Sequence, residues 1–235
     1  SAAEADLVLL ATPVGAFEAL FRALRPTWTA QRIYTDAGST KGSVIDAARR
    51  AFGSVPANFI PGHPIAGAEK SGVTAADAAL FRRKRVILTP MEETDPAAVE
   101  RVATLWRALG AEVTAMSSER HDRLLAGTSH LPHVAAFALT HLLGREDESE
   151  DIFRYAAGGF RDFTRIASSD PVVWRDICLA NREAIVARIE DLRGELADIA
   201  GLIERGDGPA LQEIFAGANA ARQRFLELFE NNHHA

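Results

Sequence analysis

Cysteine is almost absent: Cys178 is the only one in 235 residues, so no disulfide can close within the chain and no thiolate cage can hold a metal. Long apolar runs are missing too. No stretch approaches eighteen apolar residues, and no basic-then-apolar segment opens the sequence, so neither a membrane span nor a signal peptide is expected. Positive charge is in deficit, with 26 Lys and Arg against 32 Asp and Glu. The net charge of −6 argues against nucleic acid or an anionic membrane as partner. Two catalytic signatures are also lacking. There is no His-Glu-x-x-His for a zinc hydrolase and no Gly-x-Ser-x-Gly for a nucleophile elbow. What remains, 47% hydrophobic and 25% charged, has the composition of an ordinary globular protein, and a cytoplasmic one is expected.

The first half alternates short apolar runs with amphipathic segments. Leu7–Ala11, closed by Thr12-Pro13, reads as a buried parallel strand, and Val14, Phe17, Leu20, Phe21 and Leu24 share one helix face. Further strands are expected at Ile33–Asp36, Asn58–Ile60, Arg85–Thr89 and Ala111–Ala115, with helices over Val44–Phe52 and from about Pro96 to Leu109. This alternation predicts an α/β domain with a largely parallel sheet over residues 1–117, whose ligands sit at the carboxyl ends of the strands. From residue 118 to 235 only helical periodicity is legible, and an all-helical domain is expected. Pro132 starts or kinks a helix, Ser169-Asp170-Pro171 caps another, and an apolar stripe from Val173 to Ile203 predicts about thirty residues of helix suited to a subunit interface.

Three clusters carry candidate chemistry. Asp36-Ala-Gly-Ser39-Thr40-Lys41 follows a strand and opens a helix, where amides and hydroxyls can meet a ligand. Asn58–Gly72 holds His63 between two prolines and two glycines, as a catalytic imidazole or as a structural loop, with Glu69 and Lys70 nearby. The helical half contributes His121-Asp122, Ser129-His130-Leu-Pro-His133 and Gly158-Gly-Phe-Arg-Asp162-Phe-Thr-Arg165. His133 reads equally as a core histidine. Arg165 reads as a carboxylate anchor or as a partner of Asp162. No acidic cluster joins His130 and His133, so no metal is expected.

Together these stretches, with Ser169-Asp-Pro-x-x-Trp174, resemble the prephenate dehydrogenase family and its arogenate and cyclohexadienyl relatives. The matching segments lie in family order over most of the chain. The resemblance implies a Rossmann-like nucleotide-binding domain followed by an α-helical substrate and dimerisation domain, acting as a homodimer. The implied reaction is oxidative decarboxylation of prephenate to 4-hydroxyphenylpyruvate in tyrosine biosynthesis. Arogenate or dual specificity is the near alternative, and a non-catalytic substrate-binding remnant the distant one. His63 would be the base, assisted by Ser39. Arg165, His133, Ser129 and Trp174 would bind substrate, Trp174 from across a dimer. Glu69 and Asp162 would belong to a gating ionic network. Thr12, Pro13, Ser39, Thr40 and Lys41 would border the cofactor, NAD, with NADP not excluded. The family's opening strand and Gly-x-Gly-x-x-Gly turn have no counterpart here, so an N-terminally shortened nucleotide domain is expected.

Overall fold

The computed structural model describes residues 5–67 and 76–234. Strand β1 (Leu7–Leu10) turns at Thr12-Pro13 into a 3-10 segment, Val14–Ala16, that continues as α1 (Phe17–Leu24). Next come β2 (Ile33–Asp36), α2 (Gly42–Phe52), β3 (Phe59–Ile60) and β4 (Gly62–Pro64). They are followed by β5 (Arg85–Leu88), α3 (Pro96–Ala108) and β6 (Glu112–Ala115). β1, β2 and β3 form one parallel sheet, with Leu7 opposite Ile33 and Tyr34 opposite Phe59. β4, β5 and β6 form a second, in which β5 and β6 are parallel.

The largely parallel reading needs one correction. His63 lies in a strand rather than a loop, and β4 runs antiparallel to β5, with His63 opposite Ile87. Pro61 causes the switch. Having no N–H, it cannot continue β3, while its carbonyl accepts the Thr89 amide at 2.9 Å and seats the chain beside β5. β4 is an edge strand, where the donor missing at Pro64 is tolerated.

Period-two alternation sends β2 and β3 into two cores. Tyr34 and Phe59 point to a cluster with Phe17, Phe21, Val44, Ala48 and Ala51 under α1 and α2. Ile33 and Ile60 point the other way, to Val86, Leu88, Val102 and Trp106 under α3. Phe21 is the hub of the first core: its ring meets Phe59 edge-on at 5.1 Å, and Phe17, Trp28 and Phe52 lie within 6.1 Å. Each such ring removed from water contributes about 1.5–3 kcal/mol. These two cores fix the strand ends where the candidate residues sit.

The helical part begins with α4 (Ser118–Leu125), a π-helical turn Ala126–His130, and α5 (Leu131–Leu143). Pro132 lies in the first turn of α5, and the widened turn before it accommodates the missing amide and the bulk of the ring. Then follow α6 (Ser149–Arg154), α7 (Gly158–Thr164), a 3-10 turn Arg165–Ser168, and α8 (Pro171–Ala180). The expected cap on α8 is present: Asp170 Oδ1 accepts from the amides of Val172 and Val173 at 2.8 and 3.1 Å. The expected thirty-residue helix is in fact two. Asn181 leaves helical geometry at φ −114°, ψ 37°, and separates α8 from α9 (Arg182–Arg205). α10 (Gly208–His234) closes the chain. Two compact units result, residues 1–185 and 186–235. In the second, Leu196, Ile203, Phe215, Phe225 and Leu228 are more than half exposed. No helix among the described residues is long and apolar enough to cross a membrane.

Candidate active site

β4 reaches its position because Gly62 has no side chain. A Cβ there would lie 3.1 Å from the Asp36 carbonyl oxygen and 3.2 Å from Leu88. The Gly62 amide donates to Asp36 Oδ1 at 3.0 Å, and its carbonyl accepts from Lys41 Nζ at 2.5 Å. Lys41 also pairs directly with Asp36, which accepts the Gly38 amide as well, at 2.8 Å. Both charged side chains are fully buried. Burial pushes the Asp36 carboxyl above its usual range and the Lys41 ammonium below its own, and their mutual attraction opposes both shifts. The Lys41 ammonium is thus committed to Asp36 and Gly62. Thr40 is likewise buried, its hydroxyl 2.6 Å from that of Ser43.

The clamp places His63 beside His121. His63 Nδ1 lies 2.9 Å from His121 Nε2, with the rings nearly edge-on at 5.1 Å. His121 is fully buried, and its Nδ1 donates to Asp122 Oδ1 at 2.8 Å. The same carboxylate accepts the amides of Lys41 and Gly42, each at 2.8 Å. Helix α2 has no side-chain cap of its own, so Asp122 caps it from 80 residues away. Burial raises the Asp122 carboxyl, but the hydrogen bonds from His121, Lys41 and Gly42 together hold it below its ordinary value. His63 is driven well below the usual imidazole value, first by burial and then by the positive charge of Lys41 and by His121 and His130. It is therefore neutral at physiological pH, as a proton acceptor must be. Its hydrogen bond goes to His121; Ser39 forms none with it among the described residues.

A second aromatic group lies in the helices. His133 Nδ1 donates to the Ser129 carbonyl at 2.9 Å, and the Trp174 ring stacks on the imidazole at 3.7 Å and 17°. The stack forms within one chain. His130 is buried, presents its ring to the edge of Trp174, and is lowered to about 4 by burial. Asn181 ties the two groups together, donating to the Asp122 carbonyl at 2.8 Å and to His130 Nδ1 at 3.1 Å. Burial lowers His133 as well, against the opposing hydrogen bond to Ser129.

Thr12, Pro13 and Ser39 line a cleft of about 230 Å³ that also touches Val173 and Ile177 of α8. Thr12 Oγ1 is buried there without a hydrogen-bond partner. An orphan hydroxyl at the carboxyl end of a parallel strand fits a polar cofactor group, so these three residues suit a nicotinamide dinucleotide. Arg165 is not in that cleft. It is exposed and lines another, of about 520 Å³, with Phe153, Phe160, Arg161 and Thr164. Asp162 pairs with Arg161 at 3.1 Å on the surface. Glu69 lies outside the described residues. No cluster of three metal-ligating side chains occurs among the described residues. Sequence reasoning gave His121-Asp122 no role and missed Asn181. The signal for Asn181 was a polar residue interrupting an otherwise apolar stripe.

A largely parallel α/β domain with a cleft at its strand ends, and a neutral, half-buried imidazole on β4, suits a nucleotide-dependent oxidoreductase. Comparison with known proteins specifies which. Residues 1–115 match the prephenate dehydrogenase nucleotide-binding domain, and residues 117–217 the prephenate dehydrogenase dimerization domain. A cyclohexadienyl dehydrogenase of Zymomonas mobilis is 40% identical over 222 residues, covering 93% of this chain and 75% of that protein. A prephenate dehydrogenase of Bacillus subtilis is 39% identical over 224 residues; the chain spans 59% of its length and is itself 93% covered. The crystal structure of prephenate dehydrogenase from A. aeolicus, in complex with hydroxyphenyl propionate and NAD+, superposes with a TM-score of 0.87. It is 38% identical, with 94% of this chain and 76% of that one covered. The chain belongs to the prephenate dehydrogenase family.

Proposed function

We propose that the protein oxidatively decarboxylates prephenate to 4-hydroxyphenylpyruvate with NAD as cofactor, as a cytoplasmic homodimer in tyrosine biosynthesis. The observation that carries this reading is His63, a neutral imidazole on an edge strand whose backbone Asp36 and Lys41 hold at Gly62. The relatives named above add the substrate class, and the solved A. aeolicus complex adds the cofactor.

The nicotinamide, when bound, supplies the acceptor for the hydrogen and two electrons that leave C4 of the substrate ring. Thr12, Pro13 and Ser39 border its place. His63 accepts the C4 hydroxyl proton as the C4–H bond breaks, which prevents positive charge from building on that carbon. The C1–carboxylate bond then breaks, and its electron pair completes the aromatic ring as carbon dioxide leaves. The same imidazole returns the proton to the oxygen, so the overall reaction releases none. Aromatisation makes the sequence strongly downhill, and the protein's task is orientation and proton handling. Arg165 supplies a guanidinium for a substrate carboxylate, and His133, set by Ser129 and Trp174, faces the pyruvyl group. The exposed apolar side chains of α9 and α10, Leu196, Ile203, Phe215, Phe225 and Leu228, suit burial against a second copy.

The relative named for cyclohexadienyl substrates keeps arogenate in view, since that name covers the class rather than one member. The ratio of kcat/KM for prephenate and arogenate decides between them. His63→Asn tests the reading itself. NADH formation should fall about 10²–10⁴-fold, the usual worth of a positioned base. Turnover within a few-fold of the parent would reject the assignment.

A further inference from the structure

The hydrogen bonds around His63 have a polarity that can be read from one end to the other. Asp122 accepts three N–H groups, from Lys41, Gly42 and His121, and an ionised carboxylate has only acceptors to offer. His121 Nδ1 must therefore carry the proton it donates. In its Nδ1–H form His121 has a bare Nε2, which makes it the acceptor at the 2.9 Å contact and His63 Nδ1 the donor. The proton of His63 is thus spent on His121, and its Nε2 is left with a free lone pair.

We propose that His121 and Asp122 are positioning residues that hold His63 in the Nδ1–H tautomer, making Nε2 the proton-accepting atom. This rests on His63 being the base. It goes further in assigning the atom and naming the two residues that select it. A free imidazole favours the opposite tautomer, with the proton on Nε2, in which the accepting atom is blocked. The device has structural support on every side. His121 is fully buried and cannot exchange Asp122 for water. The Asp122 side chain is anchored by the first amides of α2, and its carbonyl by Asn181. The strand bearing His63 is clamped at Gly62 by Asp36 and Lys41. An orienting carboxylate acting through one imidazole on a second extends the logic by which a buried aspartate sets the tautomer of a catalytic histidine.

The test is the protonation pattern of ¹⁵N-labelled histidine side chains, read from long-range ¹H–¹⁵N spectra of the full chain at neutral pH. His63 in the parent protein should show a protonated Nδ1 and a bare Nε2. His121→Phe removes the acceptor; His63 should shift towards Nε2–H, and kcat should fall about tenfold or more with KM changed less than about twofold. His121→Gln should restore most of both signals, because Asp122 draws the amide NH2 and so turns the amide oxygen towards His63. His133, held by the Ser129 carbonyl, serves as the folding control and should stay protonated on Nδ1 in every variant. Finding the His63 proton on Nε2 in the parent protein, or both nitrogens of His121 protonated, overturns the proposal. So does an unchanged tautomer and kcat in His121→Phe. If instead the tautomer behaves as stated but His63→Asn retains turnover, the relay stands and the identity of the base is what fails.

Discussion

Asp36 and Lys41 close on the backbone of Gly62 from opposite polarities, the carboxylate taking its N–H and the ammonium its C=O. Both come from one short segment that resembles a cofactor-binding turn. Their observed work is to hold the strand that carries His63. The next amides of that segment, Lys41 and Gly42, bind Asp122, which reaches the same histidine through His121. One seven-residue turn thus governs both the backbone and the ring of His63.

Removing one side of the clamp leaves an unpaired buried charge. Lys41→Met should destabilise the fold by about 3–5 kcal/mol, the usual consequence of breaking a fully buried pair. Adding Asp36→Asn should recover part of the loss, because the stranded carboxylate is then gone. Urea unfolding of the two variants checks this, and independent, additive losses would contradict it.

Acid should act on stability through His130. Its imidazole is lowered to about 4 by burial, below the 6.5 of an unfolded histidine. Between those values the unfolded chain binds a proton that the native state does not, so stability falls as pH falls from 6.5 to 4 and then levels off. The contribution of this group is about 3 kcal/mol. His130→Gln should flatten that part of a stability-against-pH curve measured by denaturant titration. An equally steep curve in the variant would remove His130 as the cause.

Substrate anchoring and proton transfer should separate kinetically. Arg165 lines a cleft apart from Thr12 and Ser39, so its loss should leave the chemical step near His63 intact. Arg165→Gln should raise KM for prephenate about 10–100-fold, the worth of one hydrogen bond to a charged group, with kcat changed far less. A fall in kcat at constant KM would place the arginine in the chemistry instead.

The local elements were legible because they follow local rules. Phe17 and Phe21 fall on one face of α1, Ile33–Asp36 is a strand to the residue, and Asp170-Pro171 caps α8 as its side-chain chemistry requires. His63 was legible as a focus because two prolines and two glycines restrict the backbone around it. Its surroundings were not. The antiparallel turn of β4 depends on Pro61 meeting Thr89, and the break at Asn181 depends on a hydrogen bond to Asp122, 59 residues earlier.

By itself, then, the sequence determined the α/β-then-helical order, the family resemblance and the candidate base, since periodicity, capping and backbone restriction act over a few residues. Only the tertiary structure decided what those residues do to one another. It made Lys41 and Asp36 a clamp on Gly62, and it joined His63 to Asp122 through His121. Two hydrophobic cores set β2 and α2, and contacts across 58 and 80 residues tie α4 to His63 and to the start of α2. Buried charges and imidazoles must then find partners there, and no local pattern specifies which.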